Sequence, residues 1–169
     1  MSFTLSQAAY TSIGQMFDAL KGVLDKGAAY AKAREMDEAV LINWRLAPDM
    51  FPLSRQVQIA TDIAGRGLVR LSGAELPSNP DAETTFEALR GRVIKAEAFI
   101  AGLDRAKIDI DPEGSVTFPL GPETMTMKRS DYLLLFVLPN VYFHVTTTYA
   151  ILRACGASLG KMDFLPRLG

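Results

Sequence analysis

Asn140, His144 and Thr148 recur every fourth residue in the most apolar segment of the chain, and His144 is its only histidine. Residues four apart share one face of an α-helix, so the three form a polar stripe on a helix that otherwise favours burial. An imidazole titrates near neutral pH and can act as a general acid, a general base or a metal ligand. Buried polar groups cost free energy unless each is paired. The stripe therefore predicts either a polar small-molecule pocket, with His144 as the candidate catalytic group, or a neutral core histidine donating to a neighbour. Gln56, at the edge of a second apolar stripe, is placed to face His144 across the core. Asp49, Thr148 and Tyr149 complete the set of ligand-binding candidates with Gln56 and Asn140. No nucleophile triad forms, because His144 and Cys155 stand too far apart along one helix to touch.

These residues need helices to position them. Leu5, Ala9, Ile13, Phe17, Leu20 and Leu24 recur at steps of three and four and predict a first helix, extended through the alanine-rich stretch to Arg34. Asp37 can cap a short helix through Val40, Leu41 and Ile42, and the Leu46-Ala47-Pro48-Asp49 turn follows. Asp49 is then expected to cap a second long helix whose stripe is Leu53, Val57, Ala60, Ala64, Leu68 and Leu71, with Gly65 and Gly67 weakening it. Ser72 to Glu83 carries Gly, Pro, Ser and Asn without periodicity and reads as a long connection. Thr84 and Glu87 match a capping box for a third helix with Phe86, Leu89, Val93 and Ile100 inward. Val116 to Phe118 and Thr124 to Met127 alternate about Gly121-Pro122, the pattern of a β-hairpin. Ser130 is expected to cap the last helix, kinked at Pro139 and stopped by Gly156. The fold class is all-α: a four-helix bundle with a long connection between its second and third helices and a small hairpin before the last, in a single domain over 1–169.

Composition narrows the function. Eighteen basic residues oppose nineteen acidic ones and are scattered, with Arg66, Arg70, Arg90 and Arg92 read as a solvated helix surface, so no nucleic-acid partner is expected. One cysteine excludes an internal disulfide. The apolar run from Tyr132 to Val145 is interrupted and short of a membrane span, and no secretory leader opens the sequence, so a cytoplasmic protein without a membrane partner is expected.

The stretch from Arg45 to Leu53, the Gln56 to Asp62 segment and Gly160 to Leu165 resemble an uncharacterised bacterial family related to the DinB/YfiT-like metalloenzyme superfamily. The resemblance implies the same four-helix bundle. It also implies a nickel or zinc site built from one histidine on the second helix and a His-x-x-x-His pair on the fourth. On that pattern His144 falls on the second histidine of the pair and Asn140 on the first, while the second helix has no histidine. A neutral amide is a poor ligand for these metals, so no cofactor is expected and nickel or zinc is only a weak alternative. Three functions follow: a small-molecule site remodelled from the metal pocket, a non-enzymatic homodimer in which the stripe packs helices, and a metal-dependent transferase with non-standard ligands. The apolar last helix or the Met125/Met127 hairpin would form the dimer interface.

Overall fold

The computed structural model describes residues 3–165, so the ends of the expected 1–169 domain lie outside the described residues. Helix α1 (Leu5–Ala33) is capped by Thr4, whose hydroxyl accepts from the Gln7 backbone while the Gln7 side chain accepts from the Thr4 backbone. Short α2 (Glu38–Ile42) is capped by Asp37 as the sequence predicts. Then come α3 (Leu53–Ser72), α4 (Phe86–Ala101), the short α5 (Arg105–Ile108), the hairpin strands β1 (Ser115–Leu120) and β2 (Glu123–Lys128), α6 (Arg129–Asp131), and α7 (Leu138–Ala154) after a π-helical turn over Tyr132–Val137. The chain is mostly helical, with one two-stranded antiparallel sheet in which Val116 pairs with Met127 and Phe118 with Met125. Helix α1 packs on α4 and α7, and α3 packs on the same two, so α1 and α3 meet only marginally across the core.

Three caps differ from expectation, each because a tertiary partner takes the orphan donor. Pro52 occupies the N-cap position of α3 and Asp49 is exposed in the preceding turn; the Leu53 N–H donates instead to the Trp44 carbonyl at 2.9 Å. Thr85, not Thr84, caps α4, which puts Ala88 at the third helical position and leaves no capping box. The Phe86 N–H goes to the Glu38 carboxylate of α2 at 2.8 Å. Ser130 caps nothing: α6 begins one residue earlier, and the Arg129 and Ser130 N–H groups donate to the Gly114 and Pro112 carbonyls that precede the hairpin. The Arg129 guanidinium also reaches carbonyls at the ends of α3 and α5, donating to Leu71, Lys107 and Ile108.

The residues that interrupt the apolar run from Tyr132 do not interrupt the helix. Residues Arg129–Ala154 form one continuous helix, long and apolar enough to cross a membrane by composition alone, yet packed against α1 and α3. Pro139 is accommodated because the turn before it opens to π geometry, which relieves the clash between the ring and the preceding carbonyls. Its end is a Schellman motif, with Ala157 N–H on the Leu152 carbonyl, Gly156 N–H on the Arg153 carbonyl and Gly156 at φ 101°.

Gly67 has a packing role the sequence did not suggest. A Cβ there would stand 2.7 Å from both γ-methyls of Val137, at the end of the π turn. Gly67→Ala is expected to destabilise the fold by about 1–3 kcal/mol through overpacking, despite its better helix propensity. Gly91→Ala, where nothing lies within 4 Å, should stabilise slightly. Parallel urea melts of the two variants check this opposition.

Candidate functional site

The apolar repeat of α3 places Gln56 beside Leu53, Val57 and Ala60 on the buried face, and α7 brings His144 opposite. The imidazole is 9% exposed and its Nδ1 lies 2.6 Å from Gln56 Oε1. Gln56 Nε2 donates to the Phe51 carbonyl at 3.0 Å, which fixes the amide orientation, so Oε1 accepts and Nδ1 carries the proton. The other ring nitrogen, Nε2, has no partner among the described residues. It is not among the fully buried unpaired polar atoms, so it retains some contact with solvent. Burial pushes the imidazole below its ordinary pKa, and the charge of Arg55 adds to the shift, so the ring is neutral at pH 7.

The rest of the predicted stripe is satisfied within its own helix. Asn140 is half-buried and its amide turns back to donate to the Phe136 carbonyl in the π turn at 2.7 Å. Thr148 is fully buried and donates to the His144 carbonyl, and Thr147 to that of Phe143, the usual accommodation of threonine inside a helix. Tyr149 does not join them: its ring packs edge-on against Phe164, 6.3 Å between centroids, well round the helix from His144. Asp49 stays exposed in the turn before α3. Of the sequence-predicted site residues, then, the fold joins only His144 and Gln56 side chain to side chain; Thr148 meets His144 through its backbone carbonyl alone. Neither residue, nor Asn140, lines any of the surface clefts described here.

A nickel or zinc centre does not fit these residues. Among the described residues no three His, Cys, Asp or Glu side chains gather where they could hold a metal. Gln56 Oε1 is taken by Nδ1, and Asn140, its nitrogen held on the Phe136 carbonyl, offers only a neutral amide oxygen, a poor ligand for these metals, so imidazole Nε2 is the one good donor at this place.

The densest polar cluster lies elsewhere and was missed. Arg92, read from sequence as solvated, is 2% exposed. Its Nε donates to Thr61 Oγ1 at 2.9 Å. One terminal nitrogen reaches Glu83 Oε1 at 2.9 Å and the Pro80 carbonyl; the other reaches Asp62 Oδ1 at 2.6 Å and Asp81 Oδ1 at 3.0 Å. Gln58 Nε2 holds the second Glu83 oxygen, and Arg55 pairs with Asp81. The signal was present in the sequence: Arg92 follows Leu89 by three and precedes Val93, on the stripe that turns inward, with three acidic side chains available at 62, 81 and 83.

A sequence family described as a domain of unknown function (DUF1993) matches residues 5–165. The chain belongs to that family. A crystal structure described as a DinB family member protein from Shewanella denitrificans is similar to it with a TM-score of 0.86 and 33% identity, over 97% of this chain and 94% of that one. Among curated proteins none matches. The DUF1993 assignment and this DinB-like neighbour agree with the resemblance read from Arg45 to Leu53 and Gly160 to Leu165.

Proposed function

We propose that this DUF1993 protein is a DinB-type four-helix bundle that works by self-association, with His144 holding helices together instead of catalysing a reaction. One observation carries the reading: a broad apolar face around the start of α7 faces solvent. Leu135 is 67% exposed and Phe143 56%, and Trp44, Leu46, Phe51 and Tyr142 stand out beside them. Leu46, Met50, Pro139, Tyr142 and Phe143 line one shallow groove of about 450 Å³ on this face. At roughly 200 Å² for a large apolar side chain, half-exposed, the six large residues present on the order of 600 Å². That is at or above the largest patch expected on a monomer, and close to the roughly 800 Å² each partner contributes to a standard interface once a polar rim is added. No charged residue lines that groove, and the exposed Arg45 and Asp49 belong to the turn at its edge, an arrangement that suits a second copy meeting it across a twofold axis. The small-molecule reading at Asn140 and His144 has less support, because Phe136 and Gln56 already hold Asn140 Nδ2 and His144 Nδ1, which leaves only the Asn140 amide oxygen and His144 Nε2 to meet a ligand. A metal-dependent transferase has less support as well, because no three potential ligands gather among the described residues.

Sedimentation equilibrium at micromolar concentration tests the proposal. The wild type is expected at twice the chain mass. Phe143→Asp, placing an unpaired charge at the centre of the face, should weaken association by roughly a hundredfold or more. Met125→Asp, at a 41% exposed position in the hairpin away from this face, should leave it unchanged. A wild type that stays at the chain mass, or a dimer broken by Met125→Asp and indifferent to Phe143→Asp, overturns the reading.

A further inference from the structure

A second concave surface lies away from the His144 face, between α3, α4 and the connection that joins them, with a volume of about 490 Å³. That lies within the range of small-ligand sites. Leu76, Pro77, Ala96 and Phe99 make up the apolar part of its lining, and Arg66, Lys95, Ser78 and Asn79 most of the polar part. The charges that remain uncommitted here are positive. Asp62 borders the cleft, but its Oδ1 is held by Arg92 and its Oδ2 by Arg66 at 3.2 Å, so it has little capacity left for a cationic ligand. Lys95 makes no ion pair among the described residues, and Arg66 spends only one of its nitrogens on Asp62. The wall is also fixed before any ligand arrives. Buried Arg92 grips Pro80, Asp81 and Glu83 at one end of the connection, and Leu76 seats over Gly65 at the other, where a Cβ would come within 3.2 Å of its methyl. A site whose ordering cost is met by the fold retains more of its contact energy for binding.

We propose that this cleft binds a small organic anion, a carboxylate with an aryl or medium-chain alkyl body, its carboxylate on Lys95 and Arg66 and its apolar body against Phe99 and Leu76. The proposal stands apart from self-association, since it uses other residues on another face. Titration calorimetry of the full chain with 4-phenylbutyrate, octanoate and the neutral 4-phenylbutyramide tests it; the two acids distinguish an aryl from an alkyl body. Saturable binding of at least one acid, one per chain, is expected. Loss of the charge in the amide, Lys95→Glu, and Ala96→Leu filling the apolar part should each weaken binding by roughly tenfold or more. Phe143→Asp should leave it intact, and circular dichroism should report the wild-type fold for every variant. The proposal is overturned if neither acid binds saturably, if the amide binds as well as its acid, or if Phe143→Asp abolishes binding while Lys95→Glu does not.

Discussion

Arg92→Met is expected to lower the stability of the fold by about 3–5 kcal/mol, the cost of removing one partner from a buried charge cluster. The substitution nearly preserves volume and leaves the carboxylates of Asp62, Asp81 and Glu83 without the guanidinium that now meets all three. The loss falls toward the lower end to the extent that Asp81, on the open side of the cluster, returns to water. Arg66→Met, which removes only an exposed pair with Asp62, should cost less than about 1 kcal/mol. Acid titration gives the second signature. Burial raises the Glu83 pKa, but the Gln58 and Arg92 hydrogen bonds outweigh it, so the carboxyl sits below its ordinary value in the fold. Its contribution to stability is therefore complete above the ordinary glutamate range and is lost as pH falls through the lowered value. With Arg92 gone, burial acts with less opposition, and the acid-unfolding midpoint should move to higher pH. Urea melts at pH 7 together with an acid titration measure both effects; a loss below about 1 kcal/mol would mean that the connection is not held by this residue.

The parts of this architecture that depend on local periodicity were legible in the sequence. The inward residues of α1, α3 and α4 follow steps of three and four, and the hairpin follows alternation about Gly121-Pro122. What escaped depends on partners distant in sequence. Thr84 and Asp49 looked like caps because the local chemistry suited them, but Glu38 and Trp44 supply the hydrogen bonds that the next turns need. Arg92 reads as a surface residue until the connection folds back and surrounds it with carboxylates. Gly67 reads as a weakness until Val137 occupies the space it leaves. At the candidate site the pairing of His144 with Gln56 was accessible, because both sit on apolar stripes that must face each other. The direction of Asn140 was not, since it is set by the π turn that Pro139 imposes on the helix before it. The cleft beside Lys95 could not be read at all, because one of its walls is the aperiodic connection.

His144→Ala is expected to cost about 2–4 kcal/mol, combining a cavity beneath α7 with an amide oxygen on Gln56 that loses its donor. Gln56→Leu removes the same hydrogen bond from the other side, so the two losses should not add; a double-mutant cycle is expected to give a coupling of about 1–2 kcal/mol. A residue kept for chemistry would behave differently, since its removal often leaves stability unchanged or raised. The pH dependence isolates the same group. Because the folded imidazole has a lowered pKa, the unfolded chain binds the proton more readily, and stability must fall as pH drops below the ordinary histidine value until the folded ring itself protonates. The slope between about pH 7 and 5.5 belongs to His144, the only histidine in the chain, since carboxylates titrate below this window. His144→Gln should flatten it while the apolar face and the cleft by Lys95 remain intact. If wild-type stability is flat across that interval, the imidazole is not desolvated as its place between α3 and α7 requires, and its role in holding those helices together fails with it.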